Sequence, residues 1–145
     1  YNAIFLGTDL AKERIDDLRD SEDYKDLTDE AAAKDGERLK LIEKLNKEES
    51  TLSDSEKEDI LKKNQTLIQS IQLLAQQIQA KEQEVTQKLQ ADQAEVVQKV
   101  VNELIKAKKI KMLLNAQALL AFDRSDEKIN LTPEVVDLIN KEQKK

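Results

Sequence analysis

Histidine and cysteine are both missing from these 145 residues. Their absence removes the commonest general base near neutral pH, the thiolate nucleophile and the usual soft metal ligands. It also excludes disulfide stapling, while leaving the redox compartment open. The chain has only two glycines and one proline, and 3% of it is aromatic. From Thr8 to Lys109 there is no proline, a single glycine (Gly36) and a single aromatic (Tyr24). No glycine-rich loop is present to cradle phosphates, which argues against nucleotide-driven action. No apolar run approaches the roughly 20 residues of a membrane span, so stable membrane insertion is not expected. The acid pairs Asp16-Asp17, Glu22-Asp23, Asp29-Glu30 and Glu48-Glu49 lack the spacing and turn glycine of a calcium loop and read as solvated helix faces. No catalytic residue, metal site or cofactor is assigned, and the chain is read as non-enzymatic.

What is abundant is charge, at 37% of the residues, set among Leu, Ile, Val, Ala and Gln. That mixture suits long helices, and with few aromatics it fills a compact core poorly. The formal net charge is -6, with 10 basic and 19 acidic residues in positions 1–59 against 14 and 11 in 60–145. A nucleic-acid partner, which demands a concentrated basic face, is not expected. The sequence starts at Tyr1, and a processed export product and a trimmed chain are equally compatible with that start.

Asn2-Ala3-Ile4-Phe5-Leu6 is a short apolar run ended by Gly7 and is assigned to a strand. Thr8 or Asp9 then caps a helix. Leu10, Ile15, Leu18, Leu27, Ala31, Leu39, Leu41, Ile42 and Leu45 give that helix a thin apolar stripe, with a bend or fraying expected near Ser21–Asp23 and at Gly36. Polar residues gather over 46–55, and Ser53-Asp54-Ser55-Glu56 has the spacing of a capping box opening a second helix. Ile60, Leu67, Ile71, Leu74, Ile78, Val85, Leu89, Val96, Val100 and Leu104 then recur at steps of mostly three, four and seven, the seam of one helix lying along another. Beyond Lys109, alternation through Ile110, Met112 and Leu114, a turn at Asn115–Gln117 and the run Ala118–Phe122 predict a β-hairpin. Thr132-Pro133-Glu134 opens a short final helix with a capping hydroxyl.

The expected fold is therefore mainly α with a small β body. Residues 1–8 plus 108–145 make a β-containing trimerisation body, and 9–107 make a long antiparallel coiled-coil hairpin arm with its tip near 46–55. Helices of about 40 and about 50 residues at 1.5 Å per residue would reach roughly 60–75 Å.

In that order of elements the chain resembles the Skp/OmpH family of periplasmic chaperones. Met112-Leu113-Leu114-Asn115-Ala116-Gln117-Ala118-Leu119-Leu120 looks like the family's strand, turn and second strand. Asn130-Leu131-Thr132-Pro133-Glu134-Val135-Val136-Asp137-Leu138-Ile139-Asn140 is similar to its closing helix. The resemblance implies a periplasmic homotrimer whose arms surround a cavity and hold unfolded outer-membrane proteins without ATP. It does not extend to a lipopolysaccharide site, because Lys81 and Lys88 stand among Glu82, Glu84, Asp92 and Glu95.

Near the tip, Leu41, Leu45, Leu52, Ile60, Leu61, Leu67 and Ile68 are the candidates for client contact, since the arm has least to bury them there. Ile4, Leu6, Ile110, Met112, Leu114, Leu119 and Phe122 are the candidates for oligomerisation, because a short sheet leaves open edges. The expected function is an ATP-independent holdase that keeps unfolded outer-membrane proteins from aggregating. The alternative is a coiled-coil structural or adaptor protein that binds one folded partner.

Overall fold

A computed structural model describes residues 2–115, 119, 121, 123, 125–126 and 128–144. It contains α1 (Asn2–Gly7), α2 (Asp9–Asp20), α3 (Glu22–Lys47), α4 (Asp54–Ala107) and α5 (Thr132–Gln143), and no strand among the described residues. The expected strand-containing trimerisation body is thereby overturned. Two compact units divide the chain: Tyr1–Asp17 with Glu84–Lys145, and Leu18–Gln83.

The first unit owes its helical start to Phe5. A five-residue apolar run does not distinguish a strand from one buried helical turn. Here residues 2–7 coil, and Phe5 joins a core with Val97, Val100, Val101 and Leu104 of α4 and Val135 and Ile139 of α5. Ile4 packs against this cluster while Leu6 faces solvent, so two adjacent residues turn inward and the alternation of a strand is absent. α1 lies on α5 so closely that a Cβ on Gly7 would meet Val136 Cγ2 at 3.1 Å. Thr8 ends α1 and begins α2 with one buried hydroxyl, which donates to the Phe5 carbonyl at 3.0 Å and accepts from the Ala11 N–H at 3.2 Å. The expected cap at Thr8 is thus made.

The first strand of the expected β-hairpin, over 110–114, does not form, for a reason written in the end of α4. The Lys109 N–H donates to the Lys106 carbonyl and the Ile110 N–H to the Ile105 carbonyl, with Lys109 at φ 54. This is a Schellman stop, with lysine in the left-handed position that glycine usually fills. Lys111–Asn115 then run outside helix and strand, each residue exposed. A short alternating segment needs a partner strand to count as sheet, and none pairs with it among the described residues. Ala116, Gln117, Ala118, Leu120 and Phe122 lie outside the described residues. The last helix begins at Thr132 without the expected hydroxyl cap: the N-cap residue is Leu131, whose side chain makes no capping bond, and Asn130 Oδ1 accepts from the Thr132 N–H at 3.3 Å.

In the second unit the break falls at Ser21 and not at Gly36. Ser21 is extended (φ -63, ψ 140), and its hydroxyl donates to the Leu18 carbonyl at 2.6 Å and accepts from the Tyr24 N–H at 3.4 Å. A serine that closes one helix and caps the next is a sharper interruption than a glycine, which costs helix propensity but no hydrogen bond. Gly36 lies within the unbroken α3.

Candidate functional site

Helices α3 and α4 of the second unit run side by side after the turn at 48–53. At that turn the Ser53 hydroxyl and backbone N–H both donate to Glu56 Oε2, at 2.7 and 2.8 Å, and the Glu56 N–H donates back to Ser53 Oγ at 3.3 Å. The predicted capping box is present, and its hydroxyl and amide hold the Glu56 carboxyl below the ordinary carboxylate range. Farther along, the Tyr24 hydroxyl donates to Glu82 Oε1 at 2.9 Å, and Lys81 Nζ lies 3.3 Å from Asp23 Oδ2. The bond to Glu82 raises the pKa of the Tyr24 phenol above its ordinary value. These links place α3 beside α4 with polar side chains rather than with a deep core.

The apolar inventory of this unit is correspondingly thin inside. α3 has 26 residues and none is buried. Among the described residues of Leu18–Gln83 only Ile60 and Leu74 are buried hydrophobics. Of the seven client-contact candidates, Leu41, Leu45, Leu52, Leu67 and Ile68 are half-buried, Leu61 is exposed and Ile60 is covered. Two further residues match Leu61, at 52% accessible: Leu39, at 54%, which the predicted apolar stripe includes, and Leu73, at 56%, which belongs to no predicted set. Leu73 is adjacent to Leu74, and Leu39 precedes Leu41 by two. Neighbours on a helix do not share a face, so one of each pair had to point outward. That signal was available and unused.

In the first unit the oligomerisation candidates separate. Ile4 packs on the unit's own core, Ile110 and Leu119 are half-buried, and Leu6, Met112 and Leu114 are exposed; Phe122 lies outside the described residues. Two further groups were missed. Gln93, between Leu89 and Val97 on α4, is fully buried, and neither its amide nitrogen nor its amide oxygen has a partner among the described residues. A groove of about 720 Å³ is lined by Gly7, Pro133 and Val136 together with Asp9, Lys12 and Lys144. Its charges largely satisfy one another: Asp9 Oδ2 is 3.0 Å from Lys144 Nζ, and the Asp9 N–H donates to Asn140 Oδ1 at 2.9 Å. The Lys144 hydrogen bond and charge hold the Asp9 carboxyl below its ordinary value.

Among the described residues no cluster of three or more acidic side chains is placed to hold a metal ion. No helix among them is long and apolar enough to cross a membrane. No family model, curated protein or solved structure matches the chain.

Proposed function

We propose that the chain is an ATP-independent holdase of the Skp/OmpH type. It acts without catalysis in the periplasm and as a homotrimer, holding unfolded outer-membrane proteins against its helical hairpin. The supporting observation is the poverty of the hairpin's interior: Leu39, Leu61 and Leu73 are exposed and Leu41, Leu45, Leu52, Leu67 and Ile68 are only half-covered, while α3 buries nothing completely. Each such side chain offers a small contact of roughly 1 kcal/mol or less. Contacts repeated over several arms sum through effective concentration while each exchanges rapidly. Aliphatic side chains without aromatic anchors suit a tolerant surface better than a single hot-spot epitope.

The test dilutes a urea-unfolded outer-membrane barrel protein into buffer with and without this protein. Light scattering should be suppressed near one trimer per client, and Leu39→Ser, Leu61→Ser and Leu73→Ser combined should weaken suppression while helicity is retained. Undiminished scattering in the presence of an intact, self-associated protein would refute the proposal.

A further inference from the structure

The end of α4 brings together positive charge and a run of three uncovered aliphatic side chains. Between Lys106 and Asn115 there are four lysines and no carboxylate, in a protein of net charge -6. Lys108 is drawn to Glu134. Lys106, Lys109 and Lys111 are exposed and pair with no carboxylate among the described residues. Directly after them Met112, Leu113 and Leu114 are 73%, 42% and 56% accessible. The Schellman stop sets the course of this segment, because the N–H groups of Lys109 and Ile110 are both spent on carbonyls of the last helical turn.

We propose that Lys106 to Leu114 is a docking surface for anionic lipid bilayers. The lysines sit at the headgroup phosphates and the Met112–Leu114 side chains enter the headgroup–acyl boundary. Juxtaposed basic and apolar residues are the two signals that reversible membrane adsorption combines. The exposure pattern favours lipid over a folded protein: Met112, Leu113 and Leu114 are consecutive and all open to solvent, so uncovered apolar side chains leave the segment in more than one direction. A protein groove takes one face, whereas a fluid interface surrounds the segment. A second copy of the chain is disfavoured by charge, since joining two such segments brings like-charged lysine clusters together. Nucleic acid is disfavoured because three consecutive aliphatic side chains offer no stacking platform. The strongly acidic remainder of the chain is repelled by an anionic surface, which leaves this end to make the contact.

The test uses the full chain with phosphatidylcholine vesicles, alone or containing phosphatidylglycerol. Since the chain has no tryptophan, Met112→Trp supplies a single reporter at the proposed point of entry. Its emission should shift to the blue and be quenched by brominated acyl chains only with the anionic vesicles. Replacing Lys106, Lys109 and Lys111 by Gln should lower partitioning roughly 100-fold, about fivefold per lysine. Leu113→Ser with Leu114→Ser should lower it further at unchanged helicity, and raised salt should release the protein. Equal binding to both vesicle types, an unshifted reporter, or partitioning that survives the lysine replacements would overturn the proposal. So would a loss of oligomer mass in the Leu113→Ser, Leu114→Ser variant without any vesicle binding by the parent. The assay contains no client and the scattering assay no lipid, so each proposal fails separately.

Discussion

Replacing Gln93 by leucine should make this protein more stable. Gln93 lies one helical turn from Leu89 on one side and Val97 on the other, all three almost wholly buried, and neither end of its amide has a partner among the described residues. A buried polar group left unpaired costs about 1–3 kcal/mol, and this side chain has both a donor and an acceptor in that state. Leucine removes the cost, keeps the apolar contacts and leaves a slightly shorter side chain, whose residual void returns about 1 kcal/mol. The net gain is about 2 kcal/mol, worth about 4–8 °C in Tm for a chain of this size. In urea the midpoint should rise by about 1 M with the slope unchanged. Gln93→Glu is the control: at neutral pH it buries an unpaired charge and should destabilise by about 3 kcal/mol or more. Burial raises the folded pKa of that carboxyl above its unfolded value, so stability should return as pH falls through the raised value. A Gln93→Leu variant that keeps its helicity but melts at or below the parent temperature would show that the amide is satisfied, and the reasoning would fall.

Three further outcomes follow from geometry. Lys109→Gly relieves a left-handed residue that costs about 1 kcal/mol, and thermal denaturation should show a gain of that order. Gly7→Leu forces atoms into Val136, so urea denaturation should show a loss of about 1–3 kcal/mol, with hydrogen exchange quickening in α5; Gly7→Ala should be close to neutral because a better helix former offsets a small shift of Val136. The carboxyls of Asp9, Glu56 and Asp123 are all held below their ordinary values, by Lys144, Ser53 and Ser125 respectively. Their stabilising contribution is complete above the unfolded carboxylate range, about pH 4, and is lost as pH falls through the depressed folded values. Urea midpoints should therefore drop on acidification below that range, and Asp9→Asn should flatten part of the drop.

Local chemistry was the legible part of the fold. Ser53 and Glu56 announced a helix start by spacing alone, Thr8 announced another, and each makes the predicted bonds. The seam of α4 was legible where it is apolar, through Leu74, Leu89, Val100 and Leu104, which are buried. Tertiary outcomes were not legible. Asn2–Leu6 read as strand because five apolar residues carry no usable period, and the docking of Phe5 onto α4 and α5 decided for helix. Ile110–Leu114 read as strand because alternation is visible in a sequence while the absence of a pairing strand is not. Lys109 gave no warning of a positive φ, since the residue that signals one is glycine. Gln93 could not be assigned to the core from its type, because a polar residue in a seam ordinarily marks the face turned to water. The exposure of Leu73, and of Leu39 wrongly counted into the apolar stripe, was within reach of the same helical geometry that found Leu74.

A helix of 26 residues that completely covers none of them has consequences for descent as well as for binding. Where no side chain is enclosed, no volume is prescribed, and exchange among Glu, Lys, Gln, Asp and Ala is restrained only by helix propensity and charge balance. Ancestry in α3 should consequently fade faster than in Val135 and Ile139, whose neighbours dictate their size. Kinship to this chain would persist longest in the short final helix and vanish first from the longer one that encloses nothing.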